Sequence, residues 1–100
     1  MGRVKPVCGI ITKGLKSDSE EEYVSVYVIK TSLDGQVFEL LRNRNGEERV
    51  FEGNHDGYNS QENRFDPVYA RHVRLQIKKS TSRPAVKWDV LHASKSIVQN

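Results

Sequence analysis

The segment Tyr23–Thr31, YVSVYVIKT, constrains this chain more than any other stretch. It is dense in Val and Tyr, which fit a pleated surface. Alternation puts Val24, Val26 and Val28 on one face and Tyr27 and Ile29 on the other. Both faces are apolar, so this strand expects cover on both sides. The rest of the chain follows in kind. Val7–Thr12 is a short apolar run closed by Lys13-Gly14, which suits a buried strand. Ser32-Leu33-Asp34-Gly35 is a turn signal, followed by a strand over Val37–Leu41. A second turn, Asn43–Glu48, leads to a short strand over Arg49–Glu52. Gly53–Asn63 is polar and reads as a long exposed loop.

Val68–Ile77 alternates, with Tyr69, Arg71, Val73, Leu75 and Ile77 on a covered face and His72, Arg74 and Gln76 on a wet one. Lys78–Pro84 is a basic loop, and Ala85–Leu91 is a last strand. No stretch of ten or more residues carries a convincing helical period. Short strands separated by turn signals specify an all-β sandwich or barrel.

Composition removes several classes. A chain with 36% hydrophobic and 29% charged residues is no disordered polyelectrolyte. No run approaches the roughly 18 apolar residues of a membrane helix. The one cysteine, Cys8, excludes a disulfide scaffold and a cysteine-rich zinc site; in its apolar strand it reads as an inert buried thiol. Met1–Ile10 has no continuous apolar core of a signal peptide, and Pro6 stands where a myristoylation signal needs Ser or Thr.

Charge is unevenly spread. Residues 71–100 carry seven basic residues and one acid, whereas residues 1–70 carry nine basic and twelve acidic. Arg74, Lys78, Lys79, Arg83 and Lys87 are therefore the candidate anion-binding residues. No aromatic stacking series accompanies them, so a heparin-like polyanion fits better than nucleic acid.

The motifs have an order. Val7-Cys8-Gly9-Ile10-Ile11-Thr12-Lys13-Gly14, Ser32-Leu33-Asp34-Gly35-x-x-Phe38, Phe51-Glu52-Gly53-Asn54-His55-Asp56, Phe65-Asp66-Pro67 and Ala70-Arg71-His72-Val73-Arg74-Leu75 stand with Tyr23-Val24 in one succession. This succession resembles the discoidin domain, also called the coagulation factor V/VIII type C domain, from residue 4 to about residue 91. The resemblance implies an antiparallel jelly-roll β-sandwich over residues 1–92, followed by a tail over 93–100. It also implies an extracellular binding module with no enzymatic activity and no cofactor. Members of the family bind anionic phospholipid, glycans or extracellular proteins through loops at one end.

The family's first third and its final cysteine have no counterpart among these residues. The expectation is a domain shortened at its N-terminal side, without the terminal disulfide. Val7–Thr12 and Tyr23–Thr31 would then keep an uncovered edge or face, so that the chain either dimerises through this sheet or is markedly less stable than a full-length domain.

Two loops carry the expected chemistry. In Asn54–Asn63, the residues Asn54, His55, Asp56, Tyr58, Asn59 and Ser60 offer hydrogen-bonding groups and one flat ring to a protein or a lectin-type glycan ligand. Leu15–Glu22 corresponds to a membrane-inserting loop of the family, but its tip, Ser17-Asp18-Ser19-Glu20-Glu21-Glu22, is acidic and has no apolar spike. Phospholipid binding is expected to be weak and purely electrostatic; a basic peptide or a cation suits the acids better.

His55-Asp56 is poor geometry for catalysis, and His72 and His92 are too scattered for a metal site. Arg71 is expected to point partly inward against Asp34 or Asp66, and Trp88 to fill core.

Overall fold

The computed structural model describes residues 3–16, 20–82 and 84–93. Among them are nine strands and no helix: β1 Lys5–Lys13, β2 Leu15–Lys16, β3 Glu21–Glu22, β4 Val24–Ser32, β5 Glu39–Leu40, β6 Phe51–Glu52, β7 Ser60–Ala70, β8 His72–Ser80 and β9 Lys87–His92. They form an antiparallel jelly-roll β-sandwich. One sheet runs β7-β1-β9. The facing sheet has β4 in the middle, with β8 on one side and β5 and β6 along the other. β2 and β3 make a small hairpin of their own.

The core lies between the two sheets. Val7, Ile10, Phe65 and Ala70 from one side pack on Val24, Tyr27, Ile29 and Phe51 from the other. Phe51 links the layers, stacked on Tyr27 at 5.4 Å between ring centroids and tilted against Phe65 at 5.7 Å. The Tyr27 hydroxyl is carried inside and accepts a 3.0 Å hydrogen bond from Asn63 Nδ2. As expected for Tyr23–Thr31, both faces of β4 are covered: Tyr27 and Ile29 are in the core, and Val28, facing the other way, is 1% exposed.

Several expectations are corrected. Neither β1 nor β4 is an edge; each is the middle strand of its sheet, with partners on both sides. The argument for dimerisation through either strand falls with that placement.

Val68–Ile77 is not one strand. Ala70 ends β7 against β1, Arg71 bends the chain, and His72 starts β8 against β4. The corner changes sheets and resets the alternation. Tyr69 therefore faces solvent at 66% exposure, Ala70 is buried, and Val73 and Leu75 reach the core from the other layer. Arg71 stands exposed at the corner, with no ion pair to Asp34 or Asp66 among the described residues. Its backbone N–H donates to Ser32 O at 3.0 Å.

Cys8 is half-buried at a register shift between Val7 and Gly9: it is the extra residue against β9, while Phe65–Pro67 are the surplus opposite it on β7. That shift lets Val7 and Ile10, of opposite parity, both face the core. Trp88 is 38% exposed, since β9 is the outer strand of its sheet among the described residues and the ring lies at the edge of the core. Finally, the polar loop ends at Asn59, and Ser60–Asn63 already pair with β1.

Candidate functional site

Three connections meet at one end of the sandwich. Lys13 ends β1 opposite Ser60 and Lys87, the first residues of β7 and β9, and Val24 opens β4 opposite Ser80. Among the described residues, 14–16, 20–23, 53–59, 81–82 and 84–86 therefore share this end, and Tyr23 and Thr81 join two of these connections by a backbone hydrogen bond of 3.0 Å.

The first two connections are locked together. The Gly57 N–H donates to Glu21 Oε1 at 2.9 Å, and Lys16 Nζ lies 4.9 Å from the centroid of the Tyr58 ring. A Cβ on Gly57 would come within 2.5 Å of Leu15 O, so the close approach of the loops requires glycine there. Tyr58 and Leu15 remain 53% and 46% exposed on this braced surface.

The loop 53–59 is held from inside. Asn54 is 2% exposed, and its Nδ2 donates to Thr12 O at 3.1 Å and to Asn59 O at 2.9 Å. Asp56 closes the turn. Its carboxylate accepts from the backbone N–H groups of Asn59 at 2.8 Å and Tyr58 at 3.0 Å, and from Asn59 Nδ2 at 2.8 Å. These bonds, the one from the Asn59 backbone foremost, hold the Asp56 carboxyl below the ordinary carboxylate range.

The six expected ligand residues therefore divide. Asn54 and Asp56 are spent on the loop's own architecture. Asn59 is exposed, but its amide is tied to Asp56. His55 is exposed, with Nε2 3.7 Å from Glu52 Oε2. Tyr58 and Ser60 face outward, Ser60 beside Lys13. Sequence reading missed Leu15, Lys16 and Trp88; their exposure depends on loop packing and edge position, which no local pattern records. The tip residues 17–19, Asp18 among them, lie outside the described residues, as do Arg83 and the tail 94–100.

The expected anion set is dispersed over both sheets. Lys87 belongs to the loop end, across from Lys13. Lys78 pairs with Glu48 at 3.1 Å, and Lys79 sits opposite Val26 near the end of β8. Arg74 is on the same strand, its guanidinium 4.0 Å from the Phe38 ring centroid. Among the described residues, no three His, Cys, Asp or Glu side chains gather as a metal site would need.

Residues 1–90 match the F5/8 type C domain. The chain belongs to that family. The discoidin resemblance of its motifs is thereby shown. Its relatives include canine coagulation factor VIII, 37% identical over 86 residues, and the non-catalytic subunit of the venom prothrombin activator pseutarin-C from Pseudonaja textilis, 34% identical over 87. Rat lactadherin is 36% identical over 76 residues. These matches cover 85%, 85% and 75% of the chain but only 4%, 6% and 18% of the relatives, so the chain spans a small part of each. Discoidin II from Dictyostelium discoideum shares the fold, with a TM-score of 0.75 at 19% identity; the match covers 92% of this F5/8 type C chain and 34% of the other.

Proposed function

We propose that this chain is a non-catalytic recognition module of the cell exterior. Residues 1–92 form the binding unit, and its ligand seats on the loop end. The ligand is an extracellular protein or a cell-surface glycan. The observation that carries this reading is the lock between residues 14–22 and 53–59. The Glu21–Gly57 hydrogen bond and the Lys16–Tyr58 stack hold two remote segments in one geometry. A braced surface loses little entropy when it binds, and the half-exposed Tyr58 and Leu15 supply apolar area beside Lys13, Lys16 and Lys87. Family membership supports a binding role, since domains of this family serve as binding modules.

The acids at Glu20–Glu22 still oppose anionic headgroups, so phospholipid contact is weak and salt-sensitive. The test compares the chain with Tyr58→Ala on a glycan array and on intact cells. Capture that Tyr58→Ala lowers about tenfold, the scale of a buried aromatic anchor, supports the reading. A discrete sugar hit identifies the glycan branch, and retention only by a cell-surface protein identifies the other. Capture that Tyr58→Ala leaves untouched refutes a loop-end site.

A further inference from the structure

We infer that the outer face of the β4 sheet, away from the loop end, is a second binding surface whose ligand is a sulfated glycan chain. Lys30 of β4 stands directly opposite Arg74 of β8 and opposite Leu40 of β5, so the three form a row across the sheet. Arg42 follows Leu40 by two residues, and Lys30, Phe38, Glu39, Leu40 and Arg42 line a shallow depression of about 700 Å³. The row lies on the side of β4 away from Ile29 and Tyr27, which point into the core; Val28 on that side is covered, but Lys30 and Leu40 are half-buried and Arg74 is exposed.

Two like charges directly across a ladder destabilise a sheet. This pair is left uncompensated: among the described residues, none of Lys30, Arg42 and Arg74 makes an ion pair, although Lys78 and Glu48 do so nearby. Glu39 is the one acid lining the depression. The Arg74 guanidinium carbon lies 4.0 Å from the Phe38 ring centroid, a cation–π contact that restrains the group before any ligand arrives. Arg42 is likewise steadied, with Nη1 donating to Gly46 O at 2.9 Å.

Charge complementarity selects an anion, and a guanidinium fork pairs with two oxygens of one group, which the sulfates and carboxylates of a sulfated glycan both present. The site is open and shallow, which suits a chain lying across the strands better than an enclosed small molecule. The Phe38 face is already covered by Arg74, so no ring is offered to a nucleobase.

The test is fluorescence anisotropy of a labelled heparin octasaccharide against the whole chain in low salt. Removing both charges with Lys30→Gln and Arg74→Gln should weaken binding by about tenfold or more, since two contacts of the Coulombic scale are lost. Arg74→Lys keeps the charge but loses the fork, and should weaken binding about threefold. An equal charge change at Arg3→Gln with Lys5→Gln, on the opposite sheet, should shift it less than about twofold. Far-UV circular dichroism verifies that each variant is folded. An unchanged double variant, or a control that weakens as much, overturns the proposal. So does poly-glutamate or duplex DNA binding as tightly as heparin through the same residues. The loop-end reading is tested by capture on cells and arrays, so either reading can fail alone.

Discussion

Asn54 is the residue on which the loop end depends most, and its replacement gives a quantitative test. Its side chain bridges β1 and the far end of its own loop through bonds to Thr12 O and Asn59 O, at 2% exposure. In Asn54→Ala both bonds vanish. Each is worth about 1 kcal/mol net, and a carbonyl left buried without its donor costs about 1–3 kcal/mol more. Asn59 O is beside solvent and recovers water, so that added cost falls mainly on Thr12 O. One loss is absent: Asn54 Oδ1 is buried without a hydrogen-bond partner among the described residues, so its removal relieves a cost. The balance is about 2–3 kcal/mol of destabilisation, which for a domain of this length lowers Tm by about 8–20 °C.

Asn54→Asp sharpens the test. It aims a carboxylate at two carbonyl oxygens in a buried site, which disfavours the charged form and raises its folded pKa above the unfolded value near ~3.9. A raised folded pKa gives stability that is present below the unfolded pKa and lost as pH rises through the folded one. The gap between Asn54→Asp and the parent should therefore be smallest near pH 3.5 and widen toward neutrality in thermal scans. A drop in Tm under about 4 °C for Asn54→Ala, or a gap for Asn54→Asp that does not change with pH, would refute the bridging role.

Further outcomes follow from the same contacts. The Lys30→Glu variant turns a like-charge cross-strand pair into an opposite one, and should raise stability by up to about 1 kcal/mol in denaturant titration while abolishing heparin binding. The Asp56 and Asp34 carboxyls, held low by turn hydrogen bonds, should titrate below the ordinary Asp range in carbon-detected NMR; their contribution to turn order is present above that range and lost as pH falls through their folded values. Burial raises the Tyr27 hydroxyl pKa against the smaller opposing effect of Asn63, so in ultraviolet titration it should ionise above the ordinary tyrosine range, with folding stability lost as pH climbs through its folded value. Acrylamide should quench the Trp88 fluorescence readily, because the indole is at an edge; a shielded indole would contradict that placement.

Most of the strand pattern is legible in the sequence, and the misreadings share one physical origin. A period of two assigns faces only while the ladder is regular. Along β4 the inward Tyr27 and Ile29 come out as the alternation predicts, but register shifts on either side of Val26 turn Val24, expected on the opposite face, into the same core. At Cys8 one bulged residue reverses the parity, and at Arg71 a corner moves the chain from one sheet to the other. Neither event has a residue type that announces it. The inward roles expected of Tyr69 and Arg71 were therefore wrong, although the strand residues around them were right. The loop 53–59 is also legible from its turn residues. Its lock to Glu21 is not, because that contact joins positions 36 residues apart.

The same reasoning divides the basic C-terminal third. Charge counted along the chain treats Arg74, Lys78, Lys79 and Lys87 as one cluster. In an antiparallel sandwich, though, a residue's nearest charged neighbour lies across the ladder. Lys87 meets Lys13, Lys78 meets Glu48, and Arg74 meets Lys30, so the run separates onto two sheets and three surroundings. Only where the cross-strand partner is also basic, and no carboxylate answers it, does the excess charge remain available to a ligand. That condition is met at Lys13–Lys87 by the loop end and at Lys30–Arg74 on the other sheet, and both Lys13 and Lys30 come from the acidic part of the chain, whereas Arg42 stands opposite Glu48. A local count of net charge finds Arg74 and Lys87, whereas strand register adds their cross-strand partners Lys30 and Lys13.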